Sequence, residues 1–86
     1  MKINIFSDSS HGWAEVSLSE LDRLGIAQKI SRYSYVKGET AFLEEDCDLA
    51  VYLDALRSAG EEFTFEEHHT NGDSRIRGYN AYRVTA

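Results

Sequence analysis

Proline is absent from this chain of 86 residues, and cysteine, methionine and tryptophan occur once each. A single cysteine excludes an internal disulfide, and one thiol supplies too few sulfur ligands for a structural zinc site without several histidines around it. No repeat, linker or low-complexity tract divides the chain, so we predict one domain over residues 1–86. Hydrophobic burial alone becomes marginal near this size, so a partner or a second copy in a homodimer is plausible.

Long apolar runs are also absent at the N-terminus. The sequence MKINIFSDSS has only a few apolar residues before Ser7, too few for a secretory signal or a membrane span. We therefore expect a cytoplasmic protein that does not contact a membrane. The composition is 42% hydrophobic and 12% aromatic, which is enough apolar surface to predict a folded chain rather than a disordered one.

Positive charge is scarce in the middle of the chain, and the net charge is −6. Residues 39–67 hold ten acidic side chains against the single base Arg57, whereas the segments on either side are close to balanced or basic. Such a surface repels nucleic acid, because proteins bind a phosphate backbone through lysine and arginine. A protein with a basic surface is the natural complement, and nucleic acid is a disfavoured partner.

The first half of the chain predicts two hairpins separated by a helix. KINIF alternates apolar and polar residues, and a turn-forming cluster separates it from a second alternating run that begins at Trp13. Ser17 or Ser19 can cap a short helix that ends at Gly25. RYSYVKGETAFLEE then reads as a second hairpin with its turn at Lys37-Gly38.

The second half predicts a longer helix and a further strand. In FLEEDCDLAVY an apolar stripe at helical spacing follows the acidic residues directly, so Asp46 is the expected N-cap and Gly60 the expected stop. Phe63 and Phe65 alternate with polar residues in the next strand, and the tail after it is irregular or stranded. We predict an α+β fold, a two-layer sandwich whose mostly antiparallel sheet of four to five strands carries both helices on one face. A ferredoxin-like arrangement is one form of it.

The acidic middle is the leading candidate for a binding surface. Capping and solubility explain part of this charge, but the acids also precede and follow the helix, and gathering them on one face has a cost in self-repulsion. Trp13 is either a core anchor or, if exposed, an anchor for a partner. The expected partner-binding residues are Glu44, Glu45, Asp48, Asp54, Glu62, Glu66, Glu67 and Trp13.

Catalytic and metal sites receive less support from the sequence. His68 and His69 are adjacent in a predicted strand and so point to opposite faces, which prevents both from binding one ion easily. EEDCDLAVYLDA lacks the glycine and the ligand spacing of an EF-hand. A thiol nucleophile at Cys47 needs a base and a pocket. We expect no cofactor, no metal and no enzymatic activity.

The C-terminal segment supports an alternative function. Arginine interleaved with tyrosine can hold single-stranded nucleic acid by stacking and phosphate contacts. The candidate residues for a small nucleic-acid-binding module are Arg75, Arg77, Tyr79 and His68.

Four blocks of the sequence carry a resemblance that covers most of the chain, from about residue 11 to 77. They are HGWAEV, LGIAQKISRYSY, LEEDCDL and EHHTNGDSRIR. Together they resemble a family of small uncharacterised proteins carried by bacterial phages and plasmids. The resemblance implies a mobile-element origin. By analogy with anti-CRISPR and other anti-defence proteins, it implies a non-enzymatic inhibitor or adaptor that binds a host protein, with carboxylates that imitate phosphates.

Overall fold

The computed structural model describes residues 1–84, which form one mixed β-sheet, two α-helices and two short 3-10 helices. The strands are β1 (Lys2–Ser7), β2 (Gly12–Ser17), β3 (Tyr35–Lys37), β4 (Thr40–Glu44), β5 (Thr64–His69) and β6 (Asn80–Ala81). The α-helices are α1 (Leu18–Arg23) and α2 (Asp48–Ser58), and the 3-10 helices span Ala27–Lys29 and Arg75–Gly78. Within these residues, no helix is long and apolar enough to cross a bilayer.

The sheet has the strand order β5-β1-β2-β4-β3-β6. Strands β1 and β5 pair in parallel, and the other neighbouring strands are antiparallel. The predicted α+β class and the mostly antiparallel sheet are therefore confirmed. The predicted number of strands was too low, because the tail contributes β6, a two-residue strand that pairs with β3.

The strand order matches a ferredoxin-like arrangement only in part, because β1 lies between β2 and β5. Strands β2 and β3 both run antiparallel to β4, which lies between them, so β2, α1 and β3 form a split βαβ unit. A ferredoxin-like arrangement consists of four strands built from two such units. Here β1 is inserted between β2 and β5, and β6 is added at the far edge, so the prediction holds only for part of the sheet.

Both helices pack on one side of the sheet, as predicted, and we call this side the helix face. Alternate residues of the central strands are buried there, including Ile3 and Ile5 in β1 and Leu43 in β4. Leu21 of α1 and Leu56 of α2 are fully buried against them. Burying a side chain of this size contributes about 1.5–3 kcal/mol, so the apolar stripe of each helix fixes its position.

The other side of the sheet, which we call the opposite face, has its own small core. Trp13, Phe42 and Ile76 are buried there, with Tyr35 and Tyr79 packed around them. Ile76 belongs to the 3-10 helix of the C-terminal tail, which therefore crosses this face before it pairs with β3. The described part of the tail is thus packed on the sheet and paired with it.

The predicted helix boundaries are largely confirmed. Ser17 is the N-cap of α1 and accepts a hydrogen bond from the Glu20 amide at 3.2 Å. Gly25 and Gly60 follow the two α-helices with φ angles of 69° and 72°, a left-handed conformation that favours glycine. The prediction for Asp46 was wrong, because α2 begins at Asp48 and the N-cap position is Cys47, whose side chain makes no capping hydrogen bond.

Candidate functional site

The predicted acidic residues do not form a single face. Glu66 and Glu67 are neighbours in β5, so their side chains point to opposite sides of the sheet. Glu66 lies on the opposite face, 3.2 Å from Lys2, whereas Glu67 is in register with Ile5 on the helix face. Glu62 precedes β5, and Asp54 pairs with Arg57 on α2 at 3.3 Å. The expectation of one continuous acidic surface was therefore wrong.

Two of the predicted binding residues are buried. Asp48 is 3% exposed, and its Oδ2 accepts hydrogen bonds from the Ser31 amide at 3.0 Å and from the Ser34 hydroxyl at 2.5 Å. Trp13 is 2% exposed beneath the tail. Neither side chain can reach a partner, so both are removed from the predicted surface. Asp48 instead joins the start of α2 to the segment before β3.

Four carboxylates do come together at one end of the sheet. Glu44, Glu45 and Asp46 lie where β4 ends, and Glu67 lies on β5 at the same end. Burial and then the negative charges of Asp46, Glu44 and Glu67 raise the pKa of Glu45. We call these four residues the acidic corner.

Gly12 shapes the acidic corner. The Glu45 amide donates to the Gly12 carbonyl at 2.9 Å, and the Glu45 side chain folds back over the glycine. A Cβ at position 12 would lie 2.5 Å from Glu45 Oε2, closer than atoms of this kind approach each other. A side chain at position 12 would therefore displace the Glu45 carboxylate from this position.

Strand β5 forms one edge of the sheet, and all six of its residues are exposed. The amides of Thr64 and Thr70 point toward β1, where they donate to Met1 and Ser7 carbonyls at 2.9 and 2.8 Å. Backbone groups alternate along a strand, so the amides of Phe65, Glu67 and His69 point outward. No other strand of residues 1–84 pairs with this outer edge. An exposed edge of this length is a template for another strand.

A cavity of about 310 Å³ lies on the opposite face beside the acidic corner. Its lining includes His11, Trp13, Tyr35, Glu44, Asp46 and Cys47. Glu44 is in register with Trp13, and its side chain is 12% exposed. The Asp46 amide donates to Glu44 Oε2 at 2.9 Å and orients the carboxylate, while Glu44 Oε1 lies 3.5 Å from His11 Nδ1.

Cys47 lies at the rim of the same cavity. The residue is exposed as a whole, and its Sγ lies 3.7 Å from the Ser31 hydroxyl. Partial burial raises the pKa of the thiol, and the charges of Asp48 and Glu44 raise it further. A raised pKa keeps the sulfur protonated at neutral pH, which is the reverse of what an activated nucleophile requires.

His68 and His69 point to opposite faces of the sheet, as their adjacent positions in a strand predict. His68 stacks on Phe6 on the opposite face with ring centroids 4.8 Å apart, and it contacts Asn4 at 3.2 Å. His69 points to the helix face, where it contacts Ser7 at 3.2 Å. These two histidines therefore do not share a ligand position.

The residues of the alternative nucleic-acid site are mostly engaged in the fold. Arg77 donates to Asp8 through Nε and Nη2 at 2.6 and 3.0 Å. Tyr79 packs against Phe42 with centroids 5.3 Å apart and is covered by Lys37 at 4.8 Å. Arg75 is exposed.

The Asp8–Arg77 pair is a feature that sequence reasoning missed. The Asp8 side chain is fully buried and also accepts from the amides of Ser10, His11 and Ser74, each at 3.0 Å. The Arg77 hydrogen bonds, followed by the amide from Ser74, hold the pKa of Asp8 well below its usual range. An aspartate two residues before Ser10 does indicate a side-chain turn, but nothing local indicates Arg77.

Comparison of the chain with protein-family models, with curated proteins and with solved structures gives no match.

Proposed function

We propose that this protein is a non-enzymatic inhibitor or adaptor that binds a partner protein with a basic surface, using the outer edge of β5 and the adjoining carboxylates of Glu45 and Glu67. The observation that carries the proposal is the exposure of all six residues of β5 at the end of the sheet. Binding by strand addition supplies affinity through the backbone and specificity through alternate side chains.

The charge of this edge selects the kind of strand that can pair with it. The negative charges of Glu45 and Glu67 repel each other at one end of the sheet. The charge of Glu66 is neutralised by Lys2 on the opposite face. Like charges oppose the pairing of two β5 edges, which is a common way in which exposed edges avoid self-association. Lysine or arginine in a partner strand would relieve the crowding of carboxylates and speed the encounter.

The resemblance to phage- and plasmid-borne proteins supplies the biological setting of the proposal. The partner would be a host protein, such as a component of a CRISPR or other defence system that normally handles nucleic acid. The Glu45 and Glu67 carboxylates would then occupy a position meant for phosphates. The cytoplasm of the bacterial host is the compartment in which this function would operate.

Nucleic-acid binding has less support. Of its candidate residues, Arg77 is bound to Asp8 and Tyr79 is packed on Phe42, whereas Arg75 is exposed. A stacking platform requires exposed aromatic faces next to cationic side chains. The acidic corner adds repulsion at one end of the molecule.

The test is affinity purification from host lysate followed by mass spectrometry, with three variants beside the wild type. Glu45→Lys/Glu67→Lys should lose the partner, and so should Glu67→Pro, because proline removes an outward amide on an edge strand without removing a bond to β1. Asp54→Lys/Glu62→Lys has the same change in charge elsewhere and should retain the partner.

Circular dichroism establishes that each variant is folded before capture is compared. A partner held equally by wild type, the corner variant and the proline variant would contradict the proposal. A gel-shift series with single- and double-stranded DNA and RNA is run in parallel. A tight, salt-sensitive shift would favour the nucleic-acid function instead.

A further inference from the structure

We propose that the cavity on the opposite face binds a divalent transition-metal ion of the zinc class through His11 Nδ1, Glu44 Oε1 and a carboxylate oxygen of Asp46. One ligand atom from each of these residues lies within 4.8 Å of the other two. This site is independent of the proposed function, which uses Glu45, Glu67 and the edge of β5.

The distance between His11 Nδ1 and Glu44 Oε1 fits a small ion. His11 Nδ1 and Glu44 Oε1 are 3.5 Å apart, which is too long for a good hydrogen bond between nitrogen and oxygen. Zinc binds nitrogen and oxygen at about 2.0–2.2 Å in tetrahedral geometry, which places two ligand atoms roughly 3.4 Å from each other. His11 and Asp46 are exposed, so small rotations of their side chains can complete the set.

Two buried polar atoms give independent support. Glu44 Oε1 is buried and has no hydrogen-bond partner within the described chain, although the Asp46 amide satisfies Oε2 of the same carboxylate. Trp13 lines the same cavity, is 2% exposed, and its Nε1 also lacks a partner in residues 1–84. Buried polar groups are nearly always paired in folded proteins. An ion held between His11 and Glu44 would give Glu44 Oε1 the partner that it lacks.

The cavity has the space and charge for this arrangement. Its volume of about 310 Å³ exceeds the roughly 30 Å³ that one water occupies, so an ion can keep further ligands inside it. Arg77 is a neighbouring positive charge, but its guanidinium is bound by Asp8 at 2.6 Å, which offsets the repulsion. One imidazole and two carboxylates favour a zinc-class ion over calcium, which takes six to eight oxygen ligands.

Trp13 provides a local probe, since it is the one tryptophan in the sequence. Untagged full-length protein is titrated with Co²⁺ while tryptophan fluorescence and visible absorption are recorded, and Zn²⁺ is then added in competition. We expect quenching that saturates at one equivalent, a visible band of bound Co²⁺, and reversal by Zn²⁺. Calcium should not compete.

Three variants distinguish Co²⁺ binding in the cavity from Co²⁺ binding at the histidines outside it. His11→Ala should weaken Co²⁺ binding by more than about tenfold. Removing a residue that only hydrogen-bonds a metal ligand already costs about tenfold in affinity, and His11 is itself a proposed ligand. Glu44→Gln should act in the same direction. His68→Ala/His69→Ala removes two histidines outside the cavity and should bind as the wild type does.

Two results would overturn the proposal. One is equal Co²⁺ affinity in His11→Ala and in the wild type, when circular dichroism shows that both proteins are folded. The other is the absence of quenching at millimolar Co²⁺. Neither result bears on the proposed function, because partner capture is tested with variants at Glu45 and Glu67.

Discussion

Replacing Asp48 by alanine should strongly destabilise the fold. Its Oδ2 accepts from the Ser31 amide at 3.0 Å, the Ser31 hydroxyl at 2.7 Å and the Ser34 hydroxyl at 2.5 Å. The Ser34 oxygen in turn accepts from the Glu44 amide at 2.9 Å. One carboxylate therefore connects the start of α2, the segment before β3 and the end of β4.

The magnitude follows from the donors that would be left unpaired. A buried donor without an acceptor costs about 1–3 kcal/mol, and Asp48→Ala removes the acceptor of at least two such donors, the Ser31 amide and the Ser34 hydroxyl. Ser34 is completely buried, so water does not replace the lost acceptor there. Two or more unsatisfied donors together give an expected loss of about 3–5 kcal/mol in the free energy of unfolding for Asp48→Ala. For a domain of this size, that lowers Tm by roughly 12–40 °C.

Urea unfolding followed by Trp13 fluorescence measures the effect. Asp48→Asn keeps an acceptor oxygen and should be less destabilised than Asp48→Ala. Asp54→Ala removes an exposed aspartate from the same helix and should stay within about 0.5 kcal/mol of wild type. If Asp48→Ala were as stable as Asp54→Ala, the proposed role of this network would be refuted.

Three further predictions concern single groups. Arg77 lowers the pKa of Asp8 below its ordinary value of 3.8. The stability that the ion pair contributes is therefore fully present above pH 3.8 and is lost as pH falls through the lowered pKa. Asp8→Asn should flatten the acid side of a plot of urea midpoint against pH, and an unchanged slope would contradict this. Burial, followed by the negative charges of Asp46 and its acidic neighbours, raises the pKa of Glu45 above the ordinary value of 4.5. The stability that protonated Glu45 contributes is therefore fully present below pH 4.5 and is lost as pH rises through the raised pKa. Glu45→Gln should therefore raise the urea midpoint more at neutral pH than below 4.5; equal gains at both would count against it. Burial raises the pKa of the Cys47 thiol, so iodoacetamide should alkylate native protein more slowly than urea-unfolded protein, and equal rates would oppose this.

Local features of the fold could be predicted because their causes are local. The alternation in KINIF, the Ser17 cap and the stops at Gly25 and Gly60 each depend on residues within a few positions of one another. The two hairpins form at the predicted turns for the same reason. The helical stripe through Tyr52 and Leu56 also faces the core as its spacing requires.

Long-range features could not be predicted in this way. The parallel pairing of β5 with β1 joins residues more than sixty positions apart, and neither strand carries a signal for its neighbour. Asp48 looks like an exposed acid at a helix start, and only Ser31 and Ser34 make its burial favourable. The same holds for Asp8, whose partner Arg77 comes from the tail.

The alternation of β4 explains why one short acidic stretch contributes to two different sites. Glu44 is in register with Trp13 and points to the opposite face, where the cavity lies. Glu45 follows it, so its side chain turns the other way, over Gly12 and toward Glu67. Adjacent carboxylates are thereby available to the two proposed sites, Glu44 to the ion and Glu45 to the partner. A partner that binds the edge of β5 therefore leaves Glu44 available to an ion. The His11→Ala and Glu67→Lys changes should affect metal binding and partner capture separately.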